Sequence, residues 1–308
     1  MRVVLTGATG VAGRAIAREL KRRGIEVSTF ARGKERAERL RAVGVTAIDV
    51  DFLECSSSQL SAAVENASAV IHAATRIPPI KEMRKRSAWA ENEALRAEGA
   101  RRLVLACLAA GVSRYIQHSI TFVYTDRGSD WIDEATPTQP SKGQLSMEEA
   151  ERQTRRFTDS GGIGIVLRNG LFYGPDCRSI DEGLALLRRR VAPVLGPKDA
   201  FLSSIHVDDV ATANVAALEL AAGIYNVVDD EPVSRAEYVR LLAEAFGAQR
   251  SRFLPPWLVS LVGGEDARML MRSQRVRNAK LKGVAGWTPR YPSVATGFLD
   301  VARARASK

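Results

Sequence analysis

The segment LTGATGVAGRA, near the start of the chain, constrains the fold more than any other. It follows a short apolar run that predicts a strand and precedes an amphipathic run that predicts a helix. Its glycines, Gly7, Gly10 and Gly13, are evenly spaced. Glycine here permits a tight turn, close approach of the backbone to a pyrophosphate and close packing of the helix, whose N-terminus presents N–H groups to the anion. The segment therefore predicts a dinucleotide-binding βα unit.

Further βα units are predicted by the apolar pattern beyond this segment. Short apolar runs that suit buried parallel strands alternate with longer amphipathic segments. The predicted strands are RVVLTG, EVSTFA, VTAIDV, ASAVIHAAT, RYIQHSI and GIVLRNG, and the predicted helices are 11–23, 34–43, 88–110 and 146–159. This alternation predicts an α/β fold with a Rossmann-type, doubly wound parallel sheet.

The regular alternation ends near Gly170, where loop-rich segments such as YGPDC and VAPVLGPKD begin. This change predicts two regions. The first is a dinucleotide-binding Rossmann domain at residues 1–170, to which residues 203–228 return, and the second is a smaller C-terminal substrate-binding region at residues 171–308.

The composition excludes several classes of protein. The 308 residues are 45% hydrophobic and 26% charged, which is ordinary for a globular chain. The N-terminus lacks a long apolar segment, so we expect a cytoplasmic protein without a signal peptide or membrane partner. The formal net charge is +10, but the basic residues are scattered without interleaved aromatics, and we expect no nucleic-acid partner. Three widely spaced cysteines indicate neither a disulfide framework nor a metal site.

The residues after the second predicted strand indicate which dinucleotide is bound. An acidic residue there would accept a hydrogen bond from the ribose 2′-hydroxyl of NAD. The sequence TFARGKERAERL instead supplies Arg32, with Lys34 and Arg36 nearby. Because a guanidinium suits a 2′-phosphate, NADP is favoured over NAD. The alternative is that these basic residues lie on an exposed helix start.

Six motifs occur in order along the chain: the glycine segment, Asp51, VIHAA, RNGLFYGPD, IHVDDVA and YNVVDDEPVS. Together they make the chain resemble the extended short-chain dehydrogenase/reductase family, which includes NAD-dependent epimerases and dehydratases. The resemblance implies a Rossmann domain in which Asp51 contacts the adenine and Ala73 and Ala74 lie beside the ribose and nicotinamide. The predicted cofactor-binding residues are Thr6, Gly7, Thr9, Gly10, Val11, Gly13, Arg32, Arg36, Asp51, Phe52, Ala73, Ala74 and Arg76.

The chain departs from the family at the catalytic positions. The resemblance implies a Tyr-x-x-x-Lys pair, in which the tyrosine exchanges a proton with the substrate oxygen and the lysine lowers its pKa. No tyrosine occurs between Tyr124 and Tyr173. When the helix is aligned on Glu151, Gly143 stands at the tyrosine position and Met147 at the lysine position. The sequence therefore predicts that the pair is absent.

The family's catalytic hydroxyl on the fifth strand is also displaced. Ile120 falls at its position, and Ser119 and Thr121 flank it. Side chains alternate along a strand, so both hydroxyls would face away from the side of Ile120 unless a bulge redirects one. Arg96 stands where the family commonly has an asparagine that helps to organise a proton relay. The predicted catalytic residues are Tyr124, Ser119 and Thr121.

These observations predict an atypical NADP-dependent oxidoreductase of the extended short-chain dehydrogenase/reductase type. Its predicted partner is a small carbonyl or alcohol substrate, for which a hydrophobic compound is one option, and the sequence is compatible with a homodimer. Two alternatives stay open, a catalytically silent NADP-binding sensor or regulator and an isomerase or epimerase that uses bound cofactor. Substrate-dependent oxidation of NADPH distinguishes the oxidoreductase, because a sensor would bind without turnover and an isomerase would not consume cofactor.

Overall fold

The computed structural model of the chain describes every residue except 32, 80, 81, 84, 250, 256, 258–265 and 308, and it does not describe the side chains of residues 34, 36 and 39. The chain forms two compact units. Unit 1 comprises Met1–Ser119, Ser146–Leu167 and Val210–Ile224, and unit 2 comprises Ile120–Leu145, Arg168–Asp209 and Tyr225–Lys308.

The strands follow the apolar runs of the sequence. They are β1 (Arg2–Thr6), β2 (Glu26–Phe30), β3 (Thr46–Ile48), β4 (Ala69–His72), β5 (Arg114–Ile120), β6 (Trp131–Ile132), β7 (Ile163–Asn169), β8 (Leu171–Tyr173), β9 (Phe201–Leu202), β10 (Ser204–His206), β11 (Gly223–Val227), β12 (Val233–Ser234) and β13 (Arg275–Val276). Seven of them form the central parallel sheet in the order β11-β7-β5-β4-β1-β2-β3. The predicted Rossmann-type fold is confirmed.

The helices, numbered in chain order, connect and follow these strands. They are α1 (Val11–Arg22), α2 (Lys34–Ala42), α3 (Ser57–Val64), α4 (Ala90–Ala109), α5 (Leu145–Asp159), α6 (Arg178–Arg188), α7 (Val207–Ala216), α8 (Arg235–Ala245), α9 (Ala279–Ala285) and α10 (Val294–Ala306). Short 3₁₀ turns lie at Arg86–Trp89, Thr121–Val123 and Lys142–Gln144. The helix predicted at 88–110 therefore begins after a 3₁₀ turn.

The strand order reverses at β1, which has β2 on one side and β4 on the other. In open α/β sheets, ligands bind outside the carboxyl ends of the strands at such a reversal. Thr6 ends β1 and His72 ends β4, and these two residues are paired in the register of the strands. The carboxyl ends of β1 and β4 are therefore where the fold offers a dinucleotide site.

Unit 2 has a different construction. Its two-stranded sheets pair β8 with β10, β9 with β12 and β6 with β13. An aromatic cluster packs inside it, in which the Tyr173 ring centroid is 5.3 Å from that of His206 and 5.3 Å from that of Phe298. The segment Ile120–Leu145 belongs to this unit although it precedes residue 170. The assignment of cofactor binding and substrate binding to separate regions stays a prediction.

Candidate functional site

The glycine loop closes tightly on the end of β4 in unit 1. Gly7 has a φ of 77°, which favours glycine, and a Cβ atom there would lie 2.8 Å from the Cα atom of Ala74 and 2.9 Å from the carbonyl oxygen of Ala73. A Cβ atom at Gly13 would overlap the carbonyl of Gly7. At Gly7 and Gly13 the loop therefore has no space for a side chain.

The N-terminus of α1 suits an anion. Gly10 caps this helix in an extended conformation, and its first turn contains no acidic residue. The helix dipole and the N–H groups of the first turn both favour a negatively charged group at this point. Thr9 and Gly10 are exposed and Val11 is half-buried, so these residues leave the approach to the helix N-terminus open. The loop and the helix together fit a pyrophosphate.

Thr6 organises the end of β4. His72 Nε2 lies 2.9 Å from the carbonyl oxygen of Leu95, so that nitrogen carries the proton and donates it. His72 Nδ1 is then the acceptor, and the Thr6 hydroxyl donates to it over 2.7 Å. The same hydroxyl oxygen accepts hydrogen bonds from the backbone N–H groups of Ala73 and Ala74, both at 3.2 Å. Burial lowers the pKa of His72 to about 4, so the ring is neutral near pH 7.

The remaining predicted cofactor residues lie on several loops of unit 1. Asp51 follows β3, and its Oδ1 accepts a hydrogen bond from the backbone N–H of Leu53 over 3.0 Å. The ring of Phe52 is buried, 5.9 Å from that of His72. The Arg76 guanidinium is paired with Glu91, Nε to Oε2 at 3.0 Å. Two further predictions fall outside the description, since Arg32 is not described and Arg36 is described only in its α2 backbone.

Ser119 and Thr121, the two hydroxyl residues predicted to be catalytic, differ in their local structure at the end of β5. Ser119 is buried in unit 1 and donates to Oε1 of Glu151 on α5 over 2.6 Å. The strand ends at Ile120, and Thr121 begins the 3₁₀ turn that follows it in unit 2. The alternation of a strand therefore applies to Ser119 but not to Thr121, which is buried in its turn. The catalytic roles of both residues stay predictions.

Gly143 and Met147 are the two positions at which the sequence predicts that the tyrosine–lysine pair is absent. In unit 2, a Cβ atom at Gly143 would lie 2.8 Å from Oδ1 of Asp266 and 2.9 Å from its Oδ2. That carboxylate accepts hydrogen bonds from the Ser141 hydroxyl at 2.6 Å and from the Gly143 N–H at 3.3 Å. In unit 1, Met147 is buried on α5. A carboxylate thus lies against Gly143, the predicted tyrosine position, and an apolar side chain stands at Met147, the predicted lysine position.

Tyr124 lies in the interior of unit 2. Its hydroxyl donates to Oδ1 of Asn226 over 2.7 Å, and the Arg168 guanidinium carbon lies 4.8 Å from the centroid of its ring. Burial raises the pKa of Tyr124 to about 12, and the charge of Arg168 opposes this rise. The hydroxyl proton of Tyr124 is therefore already donated to a buried acceptor. The role of Tyr124 as a proton donor to the substrate stays a prediction.

Sequence reasoning missed or undervalued three residues. Asp266 stands 123 positions from Gly143, so no local pattern links them. Asn92 and Arg96 are both buried on α4, and within the described residues neither Asn92 Nδ2 nor Arg96 Nε has a hydrogen-bond partner. The departure of Arg96 from the family pattern was the available signal, but its burial was not evident.

The described residues include no metal-binding group of side chains and no membrane-spanning helix. Among them, no group of three histidine, cysteine, aspartate or glutamate side chains is placed to hold a metal ion. In the same part of the chain, no helix is both long and apolar enough to cross a membrane.

Comparison with known proteins identifies the family. Residues 3–227 match the NAD dependent epimerase/dehydratase family. The chain belongs to this family. The resemblance inferred from the motifs is thus confirmed, and this epimerase/dehydratase family protein is an NAD(P)-binding member of the extended short-chain dehydrogenases/reductases.

Relatives of this epimerase/dehydratase family protein include reductases. It is 33% identical over 307 residues to a 3-diazoavenalumate denitrifying reductase of Streptomyces sp, covering 97% of this chain and 99% of that protein. It is 27% identical over 298 residues to a 2-alkyl-3-oxoalkanoate reductase of Shewanella oneidensis, covering 88% and 73%. The crystal structure of human epimerase family protein SDR39U1 with NADPH has the same fold, with a TM-score of 0.80, 21% identity and coverage of 98% and 99%.

Proposed function

We propose that this chain is an NADPH-dependent reductase that transfers a hydride without a tyrosine–lysine pair. The observation that carries the proposal is the packing at Gly143, where the Asp266 carboxylate fills the space that a tyrosine side chain would need. The buried Met147 at the lysine position agrees with it. The glycine loop, which has no space for side chains, and the hydrogen bonds of Thr6 support cofactor binding.

The preference for NADPH is supported by the sequence after β2. It supplies Arg32 and no acidic residue at the place that selects the ribose 2′-substituent. A neighbour of the same fold was solved with NADPH. We therefore propose that Arg32 and Arg36 bind the 2′-phosphate.

The residues of the chain bind and orient, and a bound nicotinamide cofactor would supply the hydride. The N-terminus of α1 receives the pyrophosphate. Thr6 fixes the backbone N–H groups of Ala73 and Ala74. In this proposal those two residues would line the nicotinamide side of the site. Orientation of two reactants can lower a barrier by about 7–11 kcal/mol, whereas a general acid typically contributes about 10²–10⁴ in rate. Hydride transfer without the tyrosine is therefore physically sufficient for a reductase.

A substrate whose reduction creates no oxyanion suits such a site best. When a diazonium carbon accepts a hydride, a C–H bond forms, the C–N bond breaks and dinitrogen leaves with the bonding electron pair. No oxygen then has to be protonated, so a phenol is not needed. A relative that is 33% identical and matches nearly the whole chain is named 3-diazoavenalumate denitrifying reductase. We propose a small diazo-substituted molecule as the first substrate class.

A small carbonyl or alcohol, the substrate that the sequence predicted, is the second candidate. It is supported by relatives named 2-alkyl-3-oxoalkanoate reductases. Reduction of a carbonyl needs a proton at oxygen, which in this site would come from water or from a group other than the missing tyrosine. The sensor and the isomerase remain the alternatives to any reductase.

The test follows hydride transfer with two probes. The protein is incubated with NADPH that carries deuterium on one face of nicotinamide C4, together with 4-carboxybenzenediazonium or with 2-methyl-3-oxobutanoate. We expect loss of NADPH absorbance and transfer of deuterium from a single face of the nicotinamide. The deuterium would appear on the carbon that bore nitrogen in the diazonium probe, or on the former carbonyl carbon in the ketone probe. Uncatalysed reduction would draw on both faces, so single-face transfer identifies the enzyme reaction.

Gly13→Val is the matched control, because its side chain would overlap the Gly7 carbonyl in the cofactor loop. We expect at least a tenfold lower rate than in the natural protein, with both proteins checked for folding by circular dichroism. Equal rates in the two proteins with both probes would refute the reductase. Transfer to the ketone alone would select the second candidate. Tight NADPH binding without turnover would indicate a sensor, and turnover without net NADPH loss would indicate an isomerase.

A further inference from the structure

A buried guanidinium lies on α4 of unit 1. Arg96 is 6% exposed. In the part of the chain that the structure describes, its Nε has no hydrogen-bond partner. Burial lowers its pKa to about 10, and no described carboxylate counteracts this shift. Buried arginines are ordinarily paired with an acidic group, because an isolated buried charge is strongly unfavourable.

A second donor without a partner, the side-chain amide of Asn92, lies about one turn before Arg96 on the same helix. Asn92 is fully buried, and its Nδ2 has no partner among the described residues, although its Oδ1 accepts from the backbone N–H of Arg76 at 2.9 Å. Residues four apart lie on the same face of a helix. Asn92 and Arg96 therefore present unsatisfied N–H groups from one face, and what both lack is an acceptor oxygen.

This face of α4 adjoins the end of β4. The Leu95 carbonyl accepts from His72 Nε2, and a Cβ atom at Gly99 would lie 3.3 Å from the same nitrogen. The contact between Asn92 and Arg76 fixes the helix to the loop that leaves β4. The two orphan donors thus belong to the part of unit 1 where the carboxyl ends of β1 and β4 offer the dinucleotide site.

Energetics argue that this arrangement serves a ligand. Replacing a buried ion pair by apolar residues of similar volume is often neutral or stabilising, and an uncompensated charge is less favourable still. Local arrangements that lower stability concentrate at functional sites. The Arg96 guanidinium presents N–H donors in a planar fork that matches a carboxylate, and the Asn92 amide adds another donor.

We propose that Arg96 and Asn92 bind a carboxylate group of the substrate, so that this reductase acts on a small carboxylic acid anion. This inference rests on the proposed function in one respect, that the bound carboxylate belongs to the substrate. It extends that proposal, because it assigns recognition of the substrate charge to α4, on a face that the cofactor residues predicted from the sequence do not include.

Calorimetric titration with matched anion and amide probes tests the assignment. The NADPH-saturated protein is titrated with benzoate, cinnamate and hexanoate, and with benzamide, cinnamamide and hexanamide. Charge-assisted hydrogen bonds predict that at least one carboxylate binds about 10- to 100-fold more tightly than its amide. In Arg96→Met we expect this preference to disappear while the amide affinity and the NADPH affinity stay unchanged. Arg101→Met is the control, because Arg101 is an exposed residue of the same helix paired with Glu98.

Thermal unfolding separates a ligand site from a structural residue. Removal of an unpaired buried charge predicts that Arg96→Met raises the Tm of the ligand-free protein by about 2 °C or more. Arg96→Lys, which keeps the charge, serves if the methionine variant does not fold, and we expect it to retain more carboxylate preference than Arg96→Gln.

Three results would overturn the assignment. The first is equal affinity of the natural protein for each anion and its amide. The second is unchanged carboxylate binding in Arg96→Met together with a lowered Tm. The third is loss of NADPH binding in Arg96→Met, which would assign Arg96 to the cofactor site. If the natural protein does not bind NADPH, the proposed function alone fails. The titrations and the unfolding of the cofactor-free protein then still decide whether Arg96 binds a carboxylate.

Discussion

At the scale of single residues, Tyr124 is the tyrosine that the sequence predicts as proton donor. Its buried hydroxyl donates to Asn226 in the interior of unit 2. Tyr124→Phe would remove that donor and leave Asn226 Oδ1 unsatisfied, at about 1–3 kcal/mol of stability. Because the phenol is engaged and its pKa is about 12, we expect the rate of NADPH oxidation to change less than tenfold. Urea unfolding and steady-state kinetics measure the two effects.

Tyr115→Phe provides the matched control for this variant. Tyr115 is also fully buried, and its hydroxyl donates to Gln117 over 2.8 Å within unit 1. Both variants lose one buried hydrogen bond, so similar losses of stability are expected. A rate at least 100-fold lower in Tyr124→Phe than in Tyr115→Phe would show that Tyr124 is the proton donor, as the sequence predicted.

At the scale of elements, the structure reproduces what local patterns encode. The glycine spacing predicted the strand, loop and helix at the N-terminus, and RYIQHSI coincides with β5. These features depend on residues that are neighbours in sequence. The filling of the space at Gly143 by Asp266 depends on packing across 123 positions, which no periodicity records. The burial of Arg96 likewise depends on how α4 packs, because an amphipathic pattern would place an arginine on the exposed face.

A double-mutant cycle tests whether the Asp266 carboxylate packs against position 143. The methyl group of Gly143→Ala would displace the Asp266 carboxylate and break its hydrogen bonds to Ser141 and to the backbone at position 143. We expect a loss of about 1–2 kcal/mol in the natural background. In Asp266→Ala the space is open, so the same change should be close to neutral. Urea unfolding of the four proteins gives the coupling energy, and a value below about 0.5 kcal/mol would contradict the contact.

At the scale of the whole molecule, two buried histidines contribute to the pH dependence of stability. His72 and His118 are buried in unit 1, and burial lowers the pKa of each to about 4. In the unfolded chain each has a pKa of about 6.5. The unfolded state therefore binds more protons below pH 6.5, so stability is fully present above that pH and is lost as the pH falls towards 4. In unit 2, burial raises the pKa of Asp209 to about 6, which acts in the opposite sense over the same interval.

One variant isolates the histidine contribution from these opposing groups. His118 Nε2 lies 2.9 Å from Asn214 Oδ1 and so donates to it, and the amide N–H of His118→Gln can replace that donor without titrating. The free energy of unfolding of the natural protein should fall more between pH 6 and pH 5 than that of the variant, by about 1.2 kcal/mol. Urea unfolding of both proteins at the two pH values measures the difference. Equal slopes would mean that His118 is already protonated in the folded state, since the contribution of every other group is common to both proteins.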